Sequence, residues 1–451
     1  MNNHNPVIRF VLVTFFLYLS ASLLSYYIKT SWRPFNNIEL LSECLKKDSA
    51  QVAVKAPEKA EEKPVVIEKM ASKNFNLYLS AKTITDFNAD SAHPSMPALM
   101  QKLHQLKTTK KGKVRIAYFG DSMIEGDLLT QTIRKLLQGE FGGSGVGFVP
   151  VASPVAKFRQ TISTGVSEGW QDISFKTPGK PNLYISGHAF YGGASDYVSI
   201  TDKSVKDSTT LIEKSILFGR CDSTTTINAN NHITDIKGPA IFNRQVLSND
   251  ASHSLRISGL DNKLPVYGLS FESENGVIVD NFSFRGITGI ELNKLDSNML
   301  SAIAQNNHYD LIVFQYGVNM LFRPDDMNFN WYNRAFSPVV KKFKACFPDA
   351  EILMVSTADR AFRYEGQLES AHGIDSLVKV QASIAYGTKS SFYNQFATMG
   401  GRQSIVNWAD STPSLANKDY VHPNFRGAAL LGQYFYEAMM KEYHQYTRTL
   451  R

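Results

Sequence analysis

Val114-Arg115-Ile116-Ala117-Tyr118-Phe119-Gly120-Asp121-Ser122 is an apolar run that ends in a glycine, an acid and a serine. Behind it, Leu128, Leu129, Ile133, Leu136, Leu137 and Phe141 recur at helical spacing and are closed by Gly142-Gly143. The pair reads as a buried strand followed by a helix. The motif returns at Tyr309-Asp310-Leu311-Ile312-Val313-Phe314-Gln315, with a helix predicted around Trp331 to Cys346, and again at Glu351-Ile352-Leu353-Met354-Val355-Ser356. Apolar strands alternating with helices predict a parallel sheet covered on both faces. In such a sheet the carboxyl ends of the strands form the site, which puts Ser122 where a nucleophile belongs.

Spacing shows that this series is interrupted. A strand-helix-strand unit needs roughly 30 residues, yet the next candidate strand, Val277 to Phe284, begins roughly 150 positions after Ser122. Between them lie short runs such as Leu183-Tyr184-Ile185, Tyr197-Val198-Ser199-Ile200, Ser215-Ile216-Leu217-Phe218, Ser254-Leu255-Arg256-Ile257 and Val266-Tyr267-Gly268-Leu269-Ser270-Phe271, separated by Gly, Asn, Asp and Ser clusters. No long helical period occurs there. The expectation is an all-β sandwich or jelly-roll module over 145–275, embedded in an α/β domain made of 76–144 and 276–451. Ser95 to Leu106 is a predicted amphipathic helix leading into the first strand.

The amino-terminal part reads differently. Phe10 to Ile28 is an uncharged stretch of 19 residues between Arg9 and Lys29, long enough for a spanning helix and longer than the apolar region of a signal peptide. Ser20-Ala21-Ser22 has the small residues of a cleavage site, but the apolar stretch continues past it, which favours an uncleaved anchor in 1–30. Arg9 stands on one side and Lys29, Arg33, Lys46 and Lys47 on the other, so charge counting leans against export of the folded part. The shortness of the preceding tail and the substrate expected below outweigh it. Residues 31–75 read as a linker, because Lys46 to Lys73 is rich in Lys, Glu, Ala and Pro and holds no aromatic residue.

Composition narrows the classes. The net charge of +7, from 48 basic against 41 acidic residues, is spread without a basic arm or stripe, which argues against nucleic acid. Cys44, Cys221 and Cys346 lie far apart, so they imply neither a zinc site nor a disulfide framework. No metal and no cofactor is expected, and oligomeric state is left open.

Three further segments supply the rest of a serine hydrolase. Ser122 needs a base, because a free hydroxyl is a weak nucleophile. His422 in Lys418-Asp419-Tyr420-Val421-His422-Pro423 can be that base, and Asp419 is close enough along the chain for a turn to aim its carboxylate at one ring nitrogen. A tetrahedral oxyanion also needs donors, for which the Ser122 N–H, a glycine N–H and the Asn319 amide are candidates. Each residue has a plainer use, since Gly-Asp-Ser fills turns, Asp419 and His422 suit a surface loop, and Asn319 can satisfy local backbone. Their joint placement at strand and loop ends favours catalysis. No G-x-S-x-G elbow occurs, which argues against the α/β-hydrolase fold.

Arg115-Ile116-Ala117-Tyr118-Phe119-Gly120-Asp121-Ser122, Gly286-Ile287-Thr288-Gly289, Gly317-Val318-Asn319 and Asp419-Tyr420-Val421-His422, in that order, resemble the four signature blocks of the SGNH (GDSL) hydrolase family. Within it the chain is most similar to peptidoglycan O-acetylesterases, whose hydrolase domain is interrupted between the first two blocks by a jelly-roll, carbohydrate-binding-like module. Gly126-Asp127-Leu128, Gly145-Val146-Gly147-Phe148 and Met399-Gly400-Gly401 extend the likeness, which runs from about Lys113 to the C-terminus. The resemblance implies an SGNH-type, flavodoxin-like α/β fold. It also implies Ser122 as nucleophile, Ser122, Gly289 and Asn319 as oxyanion donors, Asp419 as orienting acid and His422 as base. Gly286 is the alternative to Gly289, since the choice rests on aligning a short loop. The chain departs from the pattern at Met123, where relatives often carry Leu or His, and at Met320, where an acid is usual. Both departures bear on the acyl pocket.

The resulting expectation is an esterase that removes O-acetyl groups from a cell-envelope glycan, with peptidoglycan implied by the resemblance. It would be anchored in the inner membrane through Phe10 to Ile28 with its catalytic domain in the periplasm. Two alternatives share the sequence: a glycan O-acetyltransferase using the same triad, and a non-catalytic glycan-binding protein. For the latter, Tyr184, Phe190, Tyr191 and Tyr197 are candidate sugar-stacking residues, against the ordinary reading of such residues as sandwich core.

Overall fold

The computed structural model describes residues 13–15, 17, 20, 75–87, 93–153, 156–179 and 181–450. The chain divides into two units, Met1–Glu68 and Lys69–Arg451. Of the first, only Val13, Thr14, Phe15, Leu17 and Ser20 are described, and all are helical. The rest of the expected anchor and nearly all of the 31–75 linker, with Cys44, lie outside the described residues. Among the described residues no helix is long and apolar enough to cross a membrane.

The second unit is built on a six-stranded sheet whose order is Ile84–Thr85, Ser391–Tyr393, Glu351–Val355, Leu311–Gln315, Lys113–Gly120 and Gly276–Ser283. All neighbours in it are parallel except the Ile84–Thr85 edge, which runs antiparallel to Ser391–Tyr393. Numbered along the chain, the five parallel strands stand in the order 2-1-3-4-5, the flavodoxin-like arrangement that was expected. Alternation along each strand feeds two cores. From the Lys113–Gly120 strand, Val114, Ile116 and Tyr118 enter one core, while Ala117 and Phe119 enter the other. From Leu311–Gln315, Leu311 and Val313 join the first, Ile312 and Phe314 the second. Helices Pro97–Thr109, Thr130–Phe141 and Phe425–Thr449 cover the first face, and Ser297–Asn306, Asn330–Cys346 and Ile374–Gly387 cover the second. Burial on both faces explains why these strands read as continuous apolar runs.

Two antiparallel sheets interrupt this domain between its first and second parallel strands. One has the order His232–Gly238, Cys221–Ala229, Ser254–Ser258, Tyr197–Asp202, Ile162–Val166. The other runs Asn243–Asp250, Ile212–Phe218, Val266–Glu272, His188–Tyr191, Gln171–Ser174, with Gly147–Val149 also paired to Val266–Glu272. Val198, Ile200, Leu255 and Ile257 of the first share one core with Ile216, Phe218, Leu269 and Phe271 of the second. Tyr197–Asp202 alternates in and out as a one-sided strand should, whereas Val266–Glu272 is buried at every residue. Its second face is covered by the α/β domain, whose Phe282 packs against Phe148 at 5.1 Å and against Tyr184 at 6.1 Å. Arg115 reaches across the same seam to Glu272 at 2.5 Å, and it pairs with Asp280 on the neighbouring strand of its own sheet at 3.1 Å.

Some expectations need correction. Leu183-Tyr184-Ile185 is no strand: it is a buried turn in which the Gly187 N–H donates to the Tyr184 carbonyl at 2.8 Å. Tyr184 and Phe190 are fully buried, one under the seam and one in the sandwich core, which is the plain structural role. Tyr191 and Tyr197 are half-buried, and the Arg256 guanidinium covers the Tyr197 ring at 3.7 Å. The helix after Ser122 starts at Thr130, because Glu125–Asp127 forms a 3-10 turn with Gly126 and Asp127 at positive φ (67° and 66°).

Candidate active site

The site starts from a strand that has to stop. Gly120 ends the Lys113–Gly120 strand where a Cβ would lie 2.9 Å from the Ile124 side chain and 3.0 Å from the Gln315 carbonyl. Glycine lets the chain leave the sheet beside its neighbour. Asp121 then closes the turn, its Oδ1 accepting the Met123 N–H at 3.0 Å, and Ser122 stands at its head.

His422 arrives from the opposite end of the chain. Its Nε2 lies 2.8 Å from Ser122 Oγ, and its Nδ1 lies 2.7 Å from Asp419 Oδ2. Asp419 Oδ1 accepts the N–H groups of Val421 and His422, both at 3.0 Å. One carboxylate oxygen therefore grips the backbone while the other faces the ring. The turn needs Tyr420 at φ 55°, and it is held by the Asn417 N–H on the His422 carbonyl at 2.9 Å and the Ala361 N–H on the Tyr420 carbonyl at 3.0 Å. Burial would raise the Asp419 carboxyl, but hydrogen bonds from the His422 N–H, the His422 ring and the Val421 N–H hold it below the usual range. An ionised Asp419 only accepts, so Nδ1 carries the proton and Nε2 is left to accept from the Ser122 hydroxyl.

Asn319 comes from the strand next door, where Gln315 pairs with Gly120. Between them Gly317, at φ 152°, passes so close to Thr357 that a Cβ would sit 2.2 Å from its side chain. Gln381 and Arg360 pin the same turn by donating to the Tyr316 carbonyl at 2.6 Å and the Val318 carbonyl at 2.8 Å. The two hydrogens of Asn319 Nδ2 point at the Ile287 carbonyl, 2.9 Å away, and at Asp121 Oδ2, 3.1 Å away.

Ser122, Asn319, Asp419 and His422 meet at an open cleft of about 680 Å³. Gly286 lines it, at φ 81° with nothing within 4 Å of a Cβ. Gly289 does not: it faces the other way, where a Cβ would meet Tyr316 at 2.6 Å and Phe336 at 2.7 Å. Among the described residues, neither the Ser122 N–H nor the Gly286 N–H has an acceptor. Met123 lines the cleft, whereas Met320 is buried in the core beneath it.

Sequence reading passed over several residues that shape this place. Asp121 was noticed as a turn acid, yet it holds Asn319. Phe158 and Phe425 line the cleft with exposed rings, and no local pattern marks either. Arg360 tethers the Asn319 turn, and its neighbour Ala361 bonds the triad turn. Nothing local in its surroundings predicts that.

No family model matches the sequence, and no curated protein matches it. Among solved structures, a peptidoglycan O-acetylesterase superposes with a TM-score of 0.68 at 18% identity, over 80% of this chain and 99% of that one. At this identity the match establishes the fold, which is that of an SGNH hydrolase. A family two carbohydrate esterase from Cellvibrio japonicus (12% identity, 63% of this chain and 98% of that one) and a lipase/acylhydrolase from Enterococcus faecalis (14%, 37% and 77%) also match. Their TM-scores of 0.27 and 0.26 add nothing to the assignment.

Proposed function

We propose that this chain, folded as an SGNH hydrolase, is a serine esterase that removes O-acetyl groups from a cell-envelope glycan, with peptidoglycan the foremost candidate. The observation that carries the reading is the unbroken relay from Ser122 Oγ through His422 to Asp419, at 2.8 and 2.7 Å, at the mouth of an open cleft. The similarity in fold to a peptidoglycan O-acetylesterase supports the choice of glycan.

The chemistry follows from the placement of protons. Ser122 Oγ attacks the acetyl carbonyl while His422 Nε2 takes its proton, and Asp419 stabilises the imidazolium. The oxyanion is received by the N–H groups of Ser122 and Gly286 and by Asn319 Nδ2, whose hydrogen swings from Asp121 onto the new charge. Gly286 takes the role in preference to Gly289 because it faces the cleft. His422 then protonates the departing sugar oxygen. Water, activated by the same imidazole, releases acetate from the acyl-serine, and the openness of the cleft favours water over a sugar hydroxyl as acceptor.

The location follows the substrate. Phe10 to Ile28 anchors the chain in the inner membrane, and the Lys, Glu, Ala and Pro-rich segment lets the catalytic domain reach the wall polymer from the periplasmic side.

Acetate release from O-acetylated peptidoglycan, compared with acetylated xylan, is the direct test, with Ser122→Ala as control. Release from peptidoglycan that the variant abolishes is expected. Acetylated acceptor as the main product when a glycan acceptor is supplied would make the chain a transferase. Binding of glycan with no release from any acetyl ester would make it a binding protein.

A further inference from the structure

We propose that Arg159 and Thr161, both carried by the interrupting module, are positioning residues for the nucleophile, holding the turn behind Ser122 in its reactive shape through Asp127. The inference rests on the esterase reading and gives the module a part in catalysis without asking it to touch substrate.

The turn that follows Ser122 is one the backbone resists. Gly126 and Asp127 both stand at positive φ, 67° and 66°. Glycine takes that conformation freely, but an aspartate there is strained and persists only where its surroundings impose it. What imposes it is a set of bonds to the Asp127 carboxylate, which is buried. Its Oδ2 accepts from Arg159 at 3.0 Å and from Thr161 Oγ1 at 2.9 Å, and both donors stand just ahead of Ile162–Val166, an edge strand of the sandwich. Arg134, on the helix into which the turn leads, donates to the two oxygens at 2.7 and 2.9 Å and to the Val279 carbonyl at 3.0 Å. Burial would raise the Asp127 carboxyl, but Arg134 and Arg159 hold it far below the usual carboxylate range.

From Asp127 the grip runs back to the nucleophile through buried groups. Thr130 Oγ1 donates to Asp127 Oδ1 and accepts from Asn281 Nδ2 at 2.7 Å. The other Asn281 Nδ2 hydrogen goes to the Ile124 carbonyl at 2.9 Å. The Ile124 N–H in turn donates to the Asp121 carbonyl at 3.3 Å, which closes the turn that has Ser122 at its head. Ser122 Oγ has to stay 2.8 Å from His422 Nε2, and a misplacement on the order of 1 Å costs about a hundredfold in rate. Arg134, Thr130 and Asn281 belong to the α/β domain, so Arg159 and Thr161 are the module's share of this grip.

Arg159 is also the member that can be removed. Without it Asp127 keeps Arg134, so the carboxylate is not left as an uncompensated buried charge. Its loss loosens the turn and leaves the fold standing, which separates positioning from folding.

The experiment compares full-length wild type, Arg159→Met, Arg159→Lys, Thr161→Val and Ile216→Val. Two rates are read: turnover of p-nitrophenyl acetate, and phosphorylation of Ser122 by diisopropyl fluorophosphate, followed by mass. Ile216→Val trims the sandwich core away from Asp127 and controls for lost stability. Arg159→Met is expected to lower kcat and the labelling rate by about tenfold each, with KM within about twofold of wild type, a loss confined to the transition state. Arg159→Lys, which returns a charged donor to Oδ2, recovers most of it, and Thr161→Val gives a smaller fall of about threefold. Unchanged kcat in an Arg159→Met protein that is folded by circular dichroism, or an equal fall in Ile216→Val, would overturn the proposal. A rise in KM alone would replace positioning with substrate contact. Should Arg159→Met fail to fold, Thr161→Val decides: the threefold fall supports the proposal and unchanged kcat rejects it. If wild type leaves the acetate intact, the esterase reading fails by itself, and labelling then decides. Slower labelling of Arg159→Met supports the positioning role, and equal rates, or no labelling of wild type, reject it.

Discussion

Asn319 and Asp121 are joined by a hydrogen bond of 3.1 Å between the amide Nδ2 and Oδ2 of a carboxyl group that has no exposure to solvent. The acid is therefore both the residue that aims the amide and a buried titratable group next to the proposed oxyanion site. Burial lifts it to about 7, Glu125 adds to the lift, and the N–H groups of Met123 and Asp121 with the Asn319 amide pull the other way. Its orientation of Asn319 is tied to its titration.

A stability signature follows from that shift. An acid raised from 3.8 to about 7 keeps its proton longer in the folded state. Its contribution to stability is whole below pH 3.8 and is lost as pH rises through 7. Inside that window the slope is roughly 1.4 kcal/mol per pH unit. Asp121→Asn removes the slope, so its stability relative to wild type improves with pH between about 4.5 and 6.5 and levels off above 8. Urea unfolding of both proteins across this range reads the difference, and parallel curves would show that the carboxyl does not titrate as described.

Asp419, the acid of the proposed triad, makes a separate prediction. Asp419 fixes the His422 tautomer through Nδ1 at 2.7 Å while its other oxygen holds the turn. Asp419→Asn offers the ring a donor as readily as an acceptor and so loses that control. A fall in kcat on the order of 10³- to 10⁴-fold on p-nitrophenyl acetate, with KM little altered, is expected by comparison with triads in general. A loss below tenfold would mean that another group orients the imidazole.

How much of this was legible depended on whether partners were near in sequence. Asp419 and His422 are three residues apart and declare themselves, and Ser122 is marked by the apolar run before it. The parallel strands were legible because both faces are buried. The Cys221–Ala229 and His232–Gly238 strands were missed, since a run such as Thr224-Thr225-Thr226 on the sandwich rim carries no apolar alternation. Leu183-Tyr184-Ile185 misled in the opposite sense: it is apolar because a turn is buried under a neighbouring domain, and no short window distinguishes that from a strand. Asn319 and Asp121 lie 198 residues apart, so their contact is a property of strand order alone.

The two glycines of the second block divide their labour in a way that substitution can separate. Gly289 packs against Tyr316 and Phe336 at distances no Cβ tolerates, and its φ is 89°. Gly289→Ala should lower stability by several kcal/mol, of the order seen when a core is overpacked. Gly286 has open space around it, so Gly286→Ala pays only for its positive φ, roughly 1–2 kcal/mol. Its kcat should fall at least tenfold as the N–H is turned from the cleft, while the fold persists in circular dichroism. The reverse pattern, with Gly289→Ala folded but inactive, would return the oxyanion role to Gly289.

The seam between module and catalytic domain is the place where stability is most exposed to a single change. Glu272 is wholly buried and faces Arg115 at 2.5 Å and Lys113 at 2.7 Å, with Arg244 bonded to it from the module's edge strand. Burial alone would raise its carboxyl, but Arg115, Arg244 and Lys113 hold it far below the usual carboxylate range. A depressed acid contributes stability that is present above its unfolded pKa and is lost as pH falls through the folded one. Glu272→Gln keeps the shape and deletes the charge, leaving Arg115 half-compensated by Asp280 at 3.1 Å. Breaking one side of a buried pair costs about 3–5 kcal/mol, so a fall of that size at pH 7 is expected, shrinking toward acid pH. Because Phe148 and Tyr184 both pack on Phe282 across the same seam, module and α/β domain should melt in one calorimetric transition in wild type and in two in the variant. A single unchanged transition in both would show that the aromatic contacts, not the ions, hold the module against the α/β domain.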